Sequence, residues 1–444
     1  MGGFYTARGT GARRAPGVCY DSRLTITPRT DAPNVTQAHA GHLLRGARAA
    51  RWFVRKRTLA TCCAAHALHD GLSDISYVLL PILAQAFNLS LAQVGMIRAA
   101  HRGAMALFQT PAGLVAERLG ARNLLAFGTA CAGLAFIALG QAAGFAAILL
   151  ALFCAGFGSA VQHPLCSTLI SHDYPDGGRR AALGTYNFFG DVGKFAFGGA
   201  VSLLFVAGVP WQIPVTVYGS LALACALTIL LVLHETAGRA RHVTAPSDSG
   251  RPRAGWGIRN RRGFAALCMI EIIDSSTRTG FLTFIAFLMI AKNLPAGWAT
   301  LSVPLILIGG MAGKLACGFL AERIGIIRTV VITEIATGAG VLLMLVLPDI
   351  AAYLLLPLIG VALNGTSSVL YATIGDLVDA DRLPRAFGLF YTLGSICGLV
   401  SPLAFGVIGD AFGVSTSIAL VGLLAFVTLP LCLMLKPALR TARA

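Results

Sequence analysis

Between residues 58 and 435 the chain alternates long apolar stretches with short polar connections, at roughly 58–84, 91–116, 123–141, 144–171, 181–207, 211–233, 263–290, 298–321, 328–347, 350–375, 385–409 and 414–435. A helix needs about 20 residues to cross a ~30 Å hydrocarbon core, and each stretch is about that long or longer. Backbone groups inside a bilayer have no water to bond, so such stretches are read as a bundle of transmembrane helices. The runs are continuous and do not alternate, which excludes an outer-membrane barrel. Composition adds two exclusions: 56% apolar and 12% charged residues fit neither a soluble domain nor a disordered chain. The 51 glycines suit close helix packing in lipid. Eleven cysteines contain no CxxC pair, and ten lie in or beside apolar runs, so no disulfide framework and no metal site are expected.

A net charge of +16 raises the question of nucleic acid, and the positions of the basic residues answer it. Eleven of the 35 precede residue 58, clustering at Arg45, Arg48, Arg51, Arg55, Lys56 and Arg57. Thereafter they fall on alternate connections: Arg118 and Arg122, Arg179 and Arg180, seven arginines over 239–262, Arg323 and Arg328, Arg382 and Arg385, and the tail with Lys436, Arg440 and Arg443. The other side holds only Lys292. This asymmetry places both termini in the cytoplasm, requires an even number of spans, and leaves no basic patch for nucleic acid. Residues 1–57, Gly/Ala/Thr-rich and aperiodic, are expected to be disordered. Residues 234–262 read as a cytoplasmic linker, 58–233 and 263–435 as two six-helix bundles, and 436–444 as a cytoplasmic tail.

The two bundles repeat each other. Gly113, Glu117, Arg118 and Gly120 after segment 2 return 205 residues later as Gly318, Glu322, Arg323 and Gly325 after segment 8. The same offset lays His66 over Glu271 and His69 over Asp274. Such a repeat marks a secondary transporter with its site between the halves.

The doubled G-x-x-x-[DE]-R-x-G loop resembles the signature of the major facilitator superfamily, over everything after residue 57. That resemblance implies an all-α membrane protein with twelve transmembrane helices in two pseudo-symmetric halves, and with segments 3, 6, 9 and 12 facing lipid. The acid and arginine of each loop would pair across the helix ends as a gating latch. His66-x-x-His69-Asp70 and the run Gly156-Phe-Gly158 to His163-Pro164 are similar to the fosmidomycin-resistance-type exporters, which implies proton-coupled efflux from a bacterial inner membrane. Two departures stand beside this: Leu152 lies where many drug/proton antiporters carry an arginine, and Gly190–Gly199 lacks the helix 5 proline.

An ionisable group at the bilayer centre costs about 2.5–3.5 kcal/mol, so those present should face an internal path and pair. At ~100° per residue, His66, His69, Asp70 and Asp74 share one face of segment 1, and Arg98, His101, Arg102 and Gln109 one face of segment 2. Asn187, Asp191 and Lys194 do so on segment 5, Glu271, Asp274, Ser275 and Arg278 on segment 7, and Asn364, Ser367, Ser368 and Tyr371 on segment 10. Asp70 is the first candidate for a coupling proton, tuned by His66 and His69. It is equally open to the reading of an ionised brace against an arginine of segment 2. Asp191, Glu271 and Asp274 are further proton candidates, although Asp191 with Lys194 reads more simply as an ion pair.

For substrate, arginine's planar fork suits carboxylate or phosphonate. Arg98, Arg102 and Arg278 with His163, Asn364 and Tyr371 are therefore the expected contacts, supported by Asp74, His101, Lys194 and Lys314, and the expected solute is anionic or zwitterionic. Mutual neutralisation of five bases by six acids is the competing explanation. Proton-coupled uptake of an organic anion is the alternative to efflux. The chain is expected to act as a monomer in the lipid bilayer, with a small-molecule solute and protons as partners and no cofactor. Two enzyme readings, a magnesium-dependent prenyl transferase built on Asp70/Asp74 or Asp376/Asp379/Asp381 and a Ser159–His163 hydrolase, rest on isolated pairs; the chain is read as no enzyme.

Overall fold

The computed structural model describes residues 35–174, 178–233, 256–379 and 382–443. The chain forms two compact units, Met1–Arg51 and Trp52–Ala444. In the first, the described residues are helical from Val35 onward; all twelve apolar segments belong to the second. Helix therefore already occupies residues 35–57, where disorder was expected, and residues 1–34 lie outside the described residues, as does most of the 234–262 linker.

The twelve apolar segments appear as fifteen helices: α1 Val35–Phe87, α2 Leu91–Leu119, α3 Ala121–Leu139, α4 Phe145–Ser159, α5 Gln162–Asp173, α6 Arg179–Val206, α7 Gln212–Val232, α8 Arg261–Ala291, α9 Ala296–Thr300, α10 Ser302–Ile324, α11 Ile326–Val346, α12 Asp349–Leu377, α13 Leu383–Phe412, α14 Val414–Phe426 and α15 Thr428–Arg443. Segments 4, 8 and 12 are each divided in two. Proline explains two of the breaks: Pro164 and Pro430 have no N–H for the carbonyls four residues earlier, and the chain loosens at 160–161 and at Val427. The last segment also runs on, since α15 extends through the expected tail.

Among the described residues nine spans are apolar enough to cross a membrane by length and composition alone. The three remaining segments, α1, α2 and α8, are long enough but carry the ionisable groups. Those groups point inward: His66, Asp70, Asp74, Arg98, Glu271 and Asp274 are all buried. Large apolar side chains turn outward instead, with Leu231 73%, Val346 78% and Leu354 74% exposed, as expected of surfaces solvated by lipid.

The hydrophobic core has a shape that matters for function. Toward the end bearing the basic loops each half has its own core. One gathers Cys62, Leu125, Cys166, Ile170 and Ile229 from the first half; the other gathers Leu267, Val330, Leu370, Phe390 and Cys432 from the second. Toward the opposite end a single core joins both, mixing Ile75, Leu79 and Ile97 with Phe281, Ile285 and Ile306. Glycines make the joined end tight. A Cβ on Gly95 would strike the Pro402 carbonyl, and one on Gly406 the Leu91 carbonyl, so α2 and α13 touch backbone to backbone. At the basic end Gly184, Gly318, Gly375 and Gly388, on α6, α10, α12 and α13, face open space. The halves meet at one end and part at the other.

Candidate functional site

The buried polar groups sort into three clusters near the middle of the membrane. The first surrounds Asp70 of α1. Its Oδ2 lies 3.1 Å from Lys194 Nζ of α6 and 3.2 Å from His66 Nε2; its Oδ1 lies 3.0 Å from His69 Nδ1 and 3.5 Å from His163 Nε2. Four nitrogen groups thus converge on one carboxylate. His66 donates from Nδ1 to the Tyr186 carbonyl at 2.7 Å and stacks on the Tyr186 ring at 3.9 Å. His69 reaches the Ser159 carbonyl with Nε2 at 3.1 Å, beside the break between α4 and α5. Close approach of α6 depends on Gly190, where a Cβ would sit 2.5 Å from the His66 ring, and on Gly193, where it would collide with the Ala67 carbonyl.

His66, Asp70 and His163 offer donor atoms within 4.8 Å of one another, a grouping open to a metal ion. The Lys194 ammonium already holds that carboxylate, and a second cation beside it would be repelled. The grouping is not read as a metal centre. Asp70 and Asp74, paired in the prenyl-transferase reading, go to different partners.

The second cluster braces α2 on α1. Arg98 is fully buried; Nη1 donates to the Ser73 carbonyl at 3.0 Å and the Ser76 hydroxyl at 2.5 Å, Nη2 lies 3.6 Å from Asp74, and the guanidinium sits 3.7 Å above the Tyr77 ring. An arginine brace of α1 was anticipated, but on Asp70. It falls on Asp74, one helical turn along, and Asp70 turns to α6. Nη1 and the Asp74 pair fasten Arg98 to α1, while Nε and Nη2 are buried without a hydrogen bond. Arg102, one turn further along α2, has no ion pair or hydrogen bond among the described residues. Its Nε is buried without a partner and its stem lies against Gly398 of α13, so it stands at the seam between the halves. His101 is buried with neither ring nitrogen partnered.

The third cluster belongs to the second half. Glu271 is buried with neither oxygen hydrogen-bonded, covered by Gly394 of α13. Arg278 donates to the Ser275 hydroxyl at 3.0 Å and lies 3.9 Å from Asp274. Glu334 is buried on α11 and interacts with Asp274. It stands on segment 9, a helix expected to face lipid, and joins the cluster from behind. Tyr371 is partly buried, with its ring 5.6 Å from Phe390. Asn364 is placed as a packing residue: Gly310 of α10 presses on it, and its amide donates to the Gly360 carbonyl at 3.4 Å. Asn187 is exposed on α6, one turn before Asp191.

One ion pair crosses between the halves among the described residues. Lys314 Nζ of α10 donates to both oxygens of Asp191 of α6, at 2.7 Å each, and Asp191 lies 3.5 Å from Lys194. The expected Asp191–Lys194 pair is therefore part of a longer chain of alternating charges, Asp70–Lys194–Asp191–Lys314.

The repeated loop motif lies at the basic, open end of the molecule. Arg118, Glu322 and Arg323 are exposed and make no ion pair among the described residues, while the side chains of Gly113 and Glu117 lie outside them. A hydrogen-bonded contact between the halves lies at the other end, on a residue that the motifs do not include. Asp410 of α13 accepts from the Leu91 and Ala92 amides at 2.7 and 2.9 Å, capping α2 next to its own Ser90/Gln93 capping box. An exposed acid at the end of one span and a box at the start of another were the available signals, but nothing in the sequence pairs them.

Comparison with known proteins agrees with this architecture. The chain is 23% identical over 358 residues to the Cupriavidus necator protein named "Probable sulfoacetate transporter SauU", covering 76% of this chain and 83% of that one. It is 22% identical over 396 residues to the Cupriavidus pinatubonensis protein named "Probable 4-methylmuconolactone transporter", covering 87% and 91%. Among solved structures it resembles a bacterial homologue of the human lysosomal transporter Spinster in an inward-facing, occupied conformation, with TM-score 0.69 and 16% identity over 88% of this chain and 96% of that one. The Major Facilitator Superfamily pattern itself matches residues 62–402. With twelve spans in two halves and that match over most of its length, the chain is a transporter, not an enzyme, and belongs to the major facilitator superfamily.

Proposed function

We propose that this protein carries a small organic anion across the bacterial inner membrane together with protons, by alternating access, with the basic loops and both termini in the cytoplasm. The observation that carries this reading is Arg102: a permanently charged fork at the seam between the halves, with no acidic partner among the described residues. Arg278 and Lys314 add positive charge from the second half. The relatives named for sulfoacetate and 4-methylmuconolactone support an anionic solute.

Coupling follows from electrostatics. Moving one negative charge inward against a potential costs about 2.3 kcal/mol per 100 mV, and a proton that travels with it cancels the cost. Outward movement of an anion needs no such help, so a proton site beside an anion site favours uptake by symport. Asp70 is the proposed proton site: the four nitrogen groups on its two oxygens hold it ionised in this arrangement, so it takes a proton only when a rearrangement draws Lys194 away, as a group whose access alternates requires. His69 spans two oxygen acceptors, the Asp70 carboxylate and the Ser159 carbonyl. Efflux in exchange for protons is the second reading, favoured by the segment 1 and segment 4 motifs. Monomeric action is part of the proposal.

The test uses the full chain in proteoliposomes of defined orientation and labelled sulfoacetate. Accumulation driven by an inwardly directed proton gradient is the expected result. Accumulation only when protons and sulfoacetate move oppositely supports efflux, and absence of any movement of sulfoacetate or other small organic anions overturns the anion reading.

A further inference from the structure

The Lys314–Asp191 pair stands at a particular place. Toward the joined end α6 and the α9–α10 pair pack closely, with Gly297 against the Phe205 carbonyl and Gly199 against Pro304. Toward the basic end the same helices part: Gly184 and Gly318, the latter one turn beyond Lys314, face open space. The pair is thus the floor of the opening between the halves. Lys314 keeps 38% of its side chain accessible, and Asp191 keeps 18%. An anion entering from the basic end meets this ammonium while it is held by a carboxylate of the protein.

We infer that Asp191 is an internal stand-in for the transported anion, holding Lys314 in the empty carrier and yielding it to the carboxylate or sulfonate of the substrate. The inference rests on the anion-transport reading and specifies how the site answers an anion. A carboxylate bound through both oxygens to one ammonium is the geometry a small organic acid would adopt. Exchange of one carboxylate for another keeps Lys314 paired throughout, which avoids stranding its charge in the membrane interior.

The exchange also bears on coupling. Once released, Asp191 retains Lys194 at 3.5 Å as its remaining partner, and Lys194 is also the ammonium 3.1 Å from Asp70. Drawing Lys194 toward Asp191 leaves Asp70 to its three histidines. Anion arrival at Lys314 is thereby transmitted through two side chains to the proton site, and it also cuts the ion pair between the halves. Asp191 is on this account a positioning and specificity residue that excludes weakly bound solutes from Lys314.

The experiment measures equilibrium binding of labelled sulfoacetate to the purified full-length carrier and to three variants. Asp191→Asn removes the competitor and is expected to bind about tenfold tighter, equivalent to about 1.4 kcal/mol, while Asp191→Glu, which restores a carboxylate, stays near wild type. Lys314→Gln is expected to weaken binding at least tenfold. A misfolded variant does not gain affinity, so tightening cannot come from structural damage. Asp191→Asn binding no tighter than wild type, or Lys314→Gln binding as wild type does, overturns the inference while leaving anion transport standing. Failure of wild type to bind or move any small organic anion overturns the anion-transport reading, and this one with it.

Discussion

The Arg98 guanidinium lies 3.7 Å above the Tyr77 ring with the Asp74 carboxylate 3.6 Å from Nη2, and no part of the arginine is exposed. A cation in this position is held by one ion pair, two hydrogen bonds and one ring face, all supplied by a single turn of α1. Removing one partner of a buried pair costs about 3–5 kcal/mol because the other is left without compensation. Arg98→Leu and Asp74→Leu are each expected to lower the melting temperature of the detergent-solubilised protein markedly, and the double variant less than the sum of the two. Additive losses would show that the two side chains do not act together.

Gly193 and Gly184 stand on the same helix with opposite surroundings. A Cβ at Gly193 collides with the Ala67 backbone, whereas one at Gly184 meets nothing within 4 Å. Gly184→Ala should therefore gain helix propensity, about 1 kcal/mol. Gly193→Ala should lose about 1–3 kcal/mol through overpacking and move Lys194 away from Asp70. Thermal melting of the two variants side by side checks the contrast, and equal behaviour would contradict the packing described.

Asp70→Asn keeps the shape of the carboxylate while removing its charge. Proton-driven accumulation of the solute should vanish, whereas exchange of internal for external solute, which needs no net proton movement, should persist. Counterflow and gradient-driven uptake measured on the same proteoliposomes separate the two. Retention of gradient-driven uptake would move the proton site elsewhere, with Glu271 next in line as a buried carboxylate that lacks a hydrogen bond.

Asp410 should act as a clasp. Two amide contacts at a helix N-terminus contribute about 1 kcal/mol, and in this conformation they join α13 to α2 across the halves. Asp410→Ala is expected to shift the carrier toward the state open at this end. Spin labels at Met96 and Phe412, both exposed, would report a broader or longer distance distribution in the variant. An unchanged distribution would show that the glycine contacts alone keep the end shut.

Much of the candidate site was legible because membrane burial makes charge conspicuous. Asp70, His66 and His69 share a helical face by phase alone, and their convergence follows once that face is turned inward. What phase could not show is which neighbour meets the face. Phase put Arg98 on the inward face of its helix but could not show that it meets the Ser73–Tyr77 turn, and Lys314 was a supporting residue until α10 brought it onto Asp191. Glu334 had no sequence signal of its own, because a single acid on an apolar helix carries no direction without its partner on α8.

The sequence by itself determined the twelve spans, their division into matching halves and the gathering of the basic loops at one end, because apolar length and short-loop charge are local quantities. Which charges pair, and at which end the halves close, only the tertiary structure decided. Those outcomes turn on contacts between side chains more than a hundred residues apart, such as Asp191 with Lys314 and Asp410 with Leu91, and on glycines that permit two backbones to touch. Helical periodicity places a group on a face; distance to a partner on another helix follows only from packing.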